Sequence, residues 1–168
     1  MRWLEFGGWT ALGFAGLELL SYGLHRWVFH GPLWKVHRTH HVRRHGAFEW
    51  NDLFSFGFAL LAIGLLVAGL GDPIGSRAFP LGLGITLYGL AYFVIHDLYV
   101  HRRYLPFDSQ NRLFRLLRRA HRRHHQSGEK PGQEPFGLFL FSYPEFLRTP
   151  GRGKLRAEPA KDEGSLVP

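Results

Sequence analysis

The sequence predicts an all-α integral membrane bundle with about three spans and a histidine-rich helical cap on its cytoplasmic side. Three observations lead to this prediction: long apolar runs, histidine motifs at the ends of those runs, and basic residues gathered on the same side as the histidines. Residues 1–150 hold enough apolar side chains for a single membrane domain. Residues 151–168 are polar and rich in Pro, Glu and Lys, so we expect little order there.

The first apolar run extends from Trp3 to Leu24 and is interrupted only by Glu5 and Glu18. At a rise of about 1.5 Å per residue it makes a helix of roughly 33 Å, which is long enough to cross a bilayer. The run leads directly into His25 without a cleavage site, which favours a retained span over a signal peptide. Glu18 lies two helical turns before His25, where it either orients that imidazole or snorkels near the interface.

The histidines form one pattern that occurs twice, H-x4-H followed by H-x2-H-H. Ten of the 11 histidines belong to it and only His45 stands outside, which is too regular for a solvated basic face. About six ligands saturate a transition-metal ion, so ten clustered imidazoles predict two ions that share a site. The predicted metal ligands are His25, His30, His37, His40, His41, His96, His101, His121, His124 and His125, with no catalytic side chain beyond them.

The spacing within each motif predicts local geometry. Residues three and four apart share a helix face, so each H-x2-H-H triplet is expected to converge on one point. The H-x4-H pairs lie about 140° apart on a regular helix. A π-bulge or a frayed helix end is therefore required to bring His25 to His30 and His96 to His101.

The middle of the chain predicts a transmembrane hairpin. Residues Leu53–Leu70 and Phe79–Ile95 contain no charged side chain over 18 and 17 residues, and a polar turn separates them. The hairpin returns His96 and His101 to the side from which His25 emerges. All but two of the 21 Lys and Arg residues, Arg2 and Arg77, lie on that side, so we expect it to be cytoplasmic.

Two further segments flank the predicted spans. Pro32 is placed to open a helix that carries the first H-x2-H-H triplet. In the polar segment 46–52, Glu49, Asn51 and Asp52 either orient metal-bound imidazoles or cap the helix that follows. Asp97, which follows His96 directly, is another candidate for orienting a ligand.

The last third of the chain predicts an amphipathic helix, a loop and a short apolar segment. Leucines and Ala120 lead into His121 and His124 at i, i+3, i+4 spacing, and arginines fill the other faces. That basic side is expected to meet lipid phosphates or an acidic protein, or to be simply solvated. Residues 127–135 are expected to form a loop. Residues 136–141 are too short to span a bilayer, and we expect them to pack on the bundle or skim the interface.

Composition excludes several classes of protein. The absence of cysteine excludes disulfides, cysteine-ligated iron–sulfur clusters and a haem–thiolate centre. The net charge is +8, and the basic residues flank long apolar runs instead of forming a patch on a soluble fold. This distribution predicts contact with membrane lipids and no binding of nucleic acid. A haem cytochrome would carry its axial histidines inside its spans, whereas the histidines of this chain lie at the ends of the predicted spans. A membrane metal-handling protein is a weaker alternative, because it would place ionisable residues mid-span.

With these motifs in place, the sequence resembles the non-haem di-iron β-carotene hydroxylases of the fatty acid hydroxylase superfamily. The resemblance runs from about Glu18 to Phe141. The histidine spacing is typical of the wider superfamily. The stretch Phe48-Glu-Trp-Asn-Asp-Leu53 and the pair His96-Asp97 narrow the resemblance to the carotenoid branch.

The resemblance implies an oxygenase with two iron ions that inserts oxygen from O2 at C3 of each β-ionone ring. β-Carotene drawn from the bilayer would become β-cryptoxanthin and then zeaxanthin, with electrons from ferredoxin or a similar donor. Zinc is expected to compete for the site in a purified sample, because imidazole ligands suit both metals. A hydroxylase of another lipid or sterol in the same superfamily would share the histidines and differ in its cavity.

Overall fold

The computed structural model describes residues 2–42, 48–126 and 130–144, and it contains helices and loops but no strand within those ranges. The all-α prediction is confirmed. The predicted tail, 151–168, lies outside the described residues, as does His45. The elements in chain order are α1 (Arg2–Gly23), a first π segment (Leu24–Phe29), α2 (Trp34–His41), α3 (Asp52–Gly69), α4 (Ala78–Tyr92), a second π segment (Phe93–Val100) and α5 (Arg112–Gln126).

Two helical stretches of the described chain are long and apolar enough to cross a membrane, Asp52–Gly69 and Ala78–Val100. In the most apolar 18 residues of each stretch, only 11% and 33% of the residues are buried inside the protein, so neither behaves as the core helix of a soluble fold. These two helices associate the protein with a membrane. The first predicted span, α1, has the length but is not among the candidates, because its glycines and Glu5 and Glu18 dilute its hydropathy.

Helix α4 lies at the centre of the bundle, with α1 packed on one side and α3 on the other. Glycines allow these close approaches. A Cβ at Gly84 would meet the backbone of α1 at Phe14 and Gly13, and a Cβ at Gly82 would meet Ala62 and neighbouring residues of α3. Buried Leu17, Ile85 and Tyr88 fill the space where α1 and α4 meet. The helical hairpin predicted from the two uncharged runs is present, and its crossing of the membrane stays a prediction.

Both H-x4-H motifs lie on π-helical backbone, as the spacing required. The amide of His30 donates to the carbonyl of His25 at 3.0 Å, and the amide of His101 donates to the carbonyl of His96 at 2.9 Å. These i to i+5 bonds widen the helix, so residues five apart share a face. The ring centroids consequently lie 5.2 Å apart in the first pair and 4.5 Å apart in the second.

The amphipathic helix α5 closes the end of the bundle where the histidines lie. Its stripe of Leu116, Leu117 and Ala120 is buried, and the helix packs on the second π segment. The following segment, 136–141, packs on the bundle, with Phe136 and Leu138 buried and Phe139 stacked on Phe14. The expectation that this segment packs on the bundle is confirmed.

Candidate metal centre

The structure brings the ten motif histidines together at one end of the bundle. Nine of them form two groups in which the ligand nitrogens lie within 4.8 Å of one another. We call these the first group and the second group. The first group contains His25, His30, His37, His41 and His124, and the second contains His40, His96, His101 and His121.

The tenth histidine, His125, stands between the two groups. Its ring centroid lies 4.3 Å from that of His41 in the first group and 4.8 Å from that of His40 in the second. Its Nε2 is buried and has no hydrogen-bond partner among the described residues. An imidazole in this position is able to complete the ligand set of either group. The assignment of all ten histidines as ligands stays a prediction.

The prediction that each H-x2-H-H triplet converges on one point is wrong. His37 and His41 belong to the first group and His40 to the second. In the later triplet, His124 belongs to the first group and His121 to the second, while His125 stands between them. The physical reason is that residues i+3 and i+4 lie on opposite sides of residue i, about 100° apart around the helix. A helix that carries such a triplet therefore lies between two sites and supplies ligands to both.

In the first group, the outer ring nitrogens are held mainly by backbone carbonyls of the loop after α5. The Nδ1 atoms of His25, His30 and His124 lie 2.7, 3.1 and 2.6 Å from the carbonyl oxygens of Phe136, Lys130 and Gln133. The fourth, His37, has its Nδ1 at 2.7 Å from Oδ1 of Asn51. Such partners fix the tautomer and orientation of the ring.

In the second group, carboxylates hold the outer nitrogens of two histidines, His40 and His96. Nδ1 of His40 donates to Glu49 at 2.9 Å, and Nδ1 of His96 donates to Asp97 at 3.0 Å. Both carboxylates lie near the guanidinium of Arg103, at 3.8 Å and 3.3 Å. A carboxylate partner raises the basicity of an imidazole more than a neutral carbonyl does.

Asp52 supports this arrangement without touching a histidine. Its two oxygens accept hydrogen bonds from Arg103 at 2.9 and 2.7 Å, and it also accepts the backbone amide of Glu49 at 2.9 Å. Asn51, which precedes α3, makes no side-chain capping bond to that helix. The polar segment before α3 therefore orients the imidazoles of His37 and His40, and Asp52 holds it in place.

Glu18 has a different role from the one predicted for it. Its carboxylate is buried and accepts hydrogen bonds from the Tyr88 hydroxyl at 2.6 Å and from three backbone amides. Those amides, at 2.7–3.3 Å, belong to Leu138, Phe139 and Leu140. It neither orients His25, whose Nδ1 is held by a backbone carbonyl, nor snorkels. A contact across 120 residues of sequence, which helix spacing cannot reveal, anchors the C-terminal segment to α1.

The hydrogen-bond pattern of the first group fits a bound cation. Carbonyl oxygens only accept, so Nδ1 of His30 and of His124 must carry the proton, and a lone pair remains on each Nε2. These two Nε2 atoms face each other at 3.1 Å. Two lone pairs repel at that distance unless a cation lies beside both. Nε2 of His40 in the second group is likewise buried with no partner among the described residues.

Burial keeps the rings neutral, which is the form that binds a metal. Desolvation lowers the pKa of His37 to about 3 and that of His124 to about 4, and it lowers the pKa of His101 to about 3. Neighbouring imidazoles add to the effect for His41, whose pKa falls to about 2. At neutral pH these histidines are uncharged and can offer a ring-nitrogen lone pair to a metal ion, as transition-metal coordination requires.

A cavity of about 450 Å³ leads from the histidines into the bundle. Five of the histidines contribute to its inner end, and the remainder of its lining comes mainly from apolar residues of α1, α3 and α4. Phe54, Phe58 and Ile85 are typical of this lining. A cavity with this lining suits an apolar molecule whose end lies beside the candidate metal centre.

Two residues of the site were missed by sequence reasoning. Arg103 joins the three carboxylates of the polar network, and no spacing rule connects it to them. Tyr92 places its hydroxyl 3.0 Å from Nε2 of His96, and its position four residues earlier on the same helix face would have revealed it. The backbone carbonyls that hold the first group have no side-chain signal in the sequence.

Comparison with known proteins places the chain in a class. The sequence profile described as fatty acid hydroxylase matches residues 10–149. The chain therefore belongs to the fatty acid hydroxylase family, which is a family of hydroxylase enzymes.

Within this family, the chain is similar to several proteins that are named as carotene hydroxylases. The chain is 40% identical over 135 residues to a beta-carotene hydroxylase of Paracoccus sp. strain PC1, covering 76% of this chain and 78% of the relative. It is 35% identical over 156 residues to the beta-carotene hydroxylase of Pseudescherichia vulneris, covering 90% and 85%. It is 39% identical over 143 residues to beta-carotene 3-hydroxylase 2, chloroplastic, of Arabidopsis thaliana, covering 82% and 46%. The chain thus spans less than half of the plant relative, and no solved structure gives a significant match.

Proposed function

We propose that this protein is a carotenoid hydroxylase that inserts oxygen from O2 at C3 of β-ionone rings. The substrate β-carotene would be converted to β-cryptoxanthin and then to zeaxanthin. The observation that supports this most strongly is an apolar cavity that ends at two adjoining histidine groups. The bacterial and plant relatives that bear carotene-hydroxylase names supply the substrate class.

The residues of the site suit a pair of iron ions. The first group would hold one ion and the second group the other, with His125 available to either. Bound there, iron would supply the redox chemistry that activates O2 and transfers one oxygen atom to a C–H bond, with two electrons and two protons reducing the other atom to water. Zinc would fit the same imidazoles but has no redox chemistry.

The protein's own side chains would orient the ligand imidazoles and exclude water from the site. Glu49, Asp97 and Asn51 hold ligand imidazoles through their outer nitrogens. Phe54 and Phe58 line the cavity and would keep an apolar ring beside the ligand nitrogens while excluding water. No side chain beyond the metal ligands is required to act as an acid or a base.

The electrons would come from a small acidic redox protein of the ferredoxin type. Exposed Arg115, Arg119 and Arg122 of α5 lie on the side of the helix away from its buried stripe, and α5 contains no acidic residue. The same helix carries three of the candidate ligands, so a donor docked on the arginines would be about one helix diameter, roughly 10 Å, from the centre. Reversing these charges should weaken reduction by ferredoxin but not by a small chemical reductant.

The metal centre would lie on the cytoplasmic side of a multi-pass protein, in contact with membrane lipids. The positive-inside tendency supports this, because nearly all basic residues accompany the histidines. The chain has no native cysteine, so a Ser76→Cys variant provides a single labelling site in the turn between α3 and α4. Labelling of that site only from the cytoplasm would overturn the proposed topology.

Pigment analysis of a β-carotene-accumulating bacterial host tests the function. Cells that express the wild-type chain with a donor should accumulate zeaxanthin and some β-cryptoxanthin. Cells that express His124→Ala should retain β-carotene, and iron chelation should have the same effect on the wild type. Unchanged β-carotene despite folded, iron-loaded wild-type protein and a working donor would contradict the proposal.

Hydroxylation of another lipid or a sterol is the second candidate, favoured by the breadth of the fatty acid hydroxylase family. The same cells provide the test, since a hydroxylated lipid without zeaxanthin would favour it. A metal-handling role is disfavoured because Leu53–Gly69 and Ala78–Ile95 carry no charged side chain to form an ion pathway.

A further inference from the structure

The cavity is open along one side, between α3 and α4. Its lining includes exposed residues from both helices. On α3 these are Ser55, Ala59 and Ile63, which follow one another at one-turn intervals. On α4 they are Gly89, Leu90 and Phe93. Residues that are exposed and also line a cavity mark its opening, so the opening is a slot that runs along the two helices. We call it the α3–α4 slot.

Two glycines of α4 show how the slot forms. Gly82 and Gly89 are seven residues apart, which is two turns, so they lie on nearly the same face of α4. A Cβ at Gly82 would lie 2.9–3.0 Å from atoms of Ala62, Leu65 and Leu66 on α3, whereas a Cβ at Gly89 would meet nothing within 4 Å. The helices are therefore in close contact near their connecting turn, and they diverge toward the histidines.

The slot begins beside the histidines and ends where Gly82 meets α3. His96 lies 14 residues after Gly82, which corresponds to a rise of roughly 20 Å along the helix. Its edges are apolar or small, and the hydroxyl of Thr86 in the cavity wall is already used by the carbonyl of Gly82 at 2.8 Å. This opening lies on the exposed face of two candidate spans, and apart from the small hydroxyl of Ser55 its edge residues offer a hydrocarbon only apolar contacts.

We propose that the α3–α4 slot selects long rod-like substrates, with the ring beside the histidines and the chain leaving sideways between α3 and α4 into the bilayer. This rests on the proposed function, because it assumes that a ring-bearing hydrocarbon is the substrate. A cavity of about 450 Å³ holds one end of such a molecule, so the remainder must leave through an opening. Gly89 keeps the passage clear and is a specificity-determining residue.

The test compares two glycine-to-leucine variants. Gly89→Leu adds a side chain at the edge of the slot, and Gly64→Leu makes the same change on the exposed surface of α3, away from the cavity lining. Neither new Cβ meets another atom within 4 Å, so both variants are expected to fold. With equal metal content, Gly89→Leu should hydroxylate β-carotene about tenfold more slowly or worse, because added methylenes displace the bound chain. Gly64→Leu should retain wild-type activity.

Full β-carotene hydroxylation by a metal-loaded Gly89→Leu variant would overturn the proposal, and so would equal losses in both variants. A wild-type enzyme that leaves β-carotene unchanged would instead contradict the proposed function, and this control is measured first. If Gly89→Leu loses its metal, labelling with a hydrophobic maleimide decides the matter. β-Carotene should slow the labelling of Gly89→Cys but not of Gly64→Cys. Equal labelling of Gly89→Cys with and without β-carotene would also overturn it.

Discussion

The two histidine groups are built from the same repeated motif but are supported differently. The first group is held by neutral acceptors, namely three backbone carbonyls of the loop 130–136 and the side-chain amide oxygen of Asn51. In the second group, His40 and His96 are held by the carboxylates of Glu49 and Asp97, which share Arg103. One group therefore depends on the path of a loop, and the other depends on a buried ion network.

The difference suggests a division of tasks between the groups. A carboxylate partner makes an imidazole a stronger donor and gives the second group the greater negative charge in its surroundings. The first group relies on backbone positions that Glu18 anchors through the 138–140 amides. We therefore expect the second group to hold its metal more tightly, and the first group to be more sensitive to changes in the C-terminal loop.

Removing one ligand from each group should have the largest effect. We expect His124→Ala to empty the first group and His121→Ala to empty the second, each leaving about one metal ion per chain and little activity. Metal analysis of the purified variants measures this. His45→Ala is the control, because that residue belongs to neither motif and lies outside the described residues. If the control lost as much metal as His121→Ala, the ligand assignment would be wrong.

Acidification should destabilise the metal-free protein through both groups together. Burial lowers the pKa of His37 and His101 to about 3, and unfolded histidines titrate near 6.5. Below about pH 6.5 the unfolded state therefore binds more protons than the folded state, and stability falls by about 1.4 kcal/mol per pH unit for each such histidine. Thermal unfolding in detergent measures this. A Tm that holds constant down to about pH 5 would contradict the buried, neutral state of both groups.

Changing an outer partner should separate the two groups. Asp97→Asn removes the charge but keeps the shape, and we expect it to weaken metal retention by about 10- to 100-fold. Asn51→Leu removes a neutral partner from His37 and should cost less, because no charge is lost. Competition with a chelator, followed by metal analysis, ranks the variants. Equal losses in the two would show that the charge of the outer partner is unimportant.

The smallest predicted effect comes from the loop itself. Gly132 has a φ of 62°, and a Cβ there would lie 2.6 Å from Nδ1 of His30. Gly132→Ala should cost about 1–2 kcal/mol of stability from the left-handed backbone alone, and it should displace His30 and loosen the first group only. Gly16→Ala, where a Cβ meets nothing, is the matched control. Metal loss from the second group in Gly132→Ala would contradict the separation of the groups.

Much of the fold and of the site could be predicted from the sequence because histidine spacing and apolar runs are local signals. The α3–α4 hairpin, the amphipathic α5 and the widened backbone at His25 and His96 all follow from residues within one or two turns. The site's support could not be predicted in the same way. Carbonyls of the loop 130–136 have no side-chain signal, and the contact of Glu18 with the 138–140 amides joins distant parts of the chain. The assignment of His37 to the first group and His40 to the second could be made only once the structure showed that α2 lies between the two groups.

The most direct test of the central claim is an anomalous diffraction map of the iron-loaded protein, recorded at the iron absorption edge. We expect two iron peaks per chain, one among the Nε2 atoms of the first group and one within the second group, with His125 adjoining both. A single peak, or a peak away from these nitrogens, would contradict the assignment of the two groups as a paired metal centre.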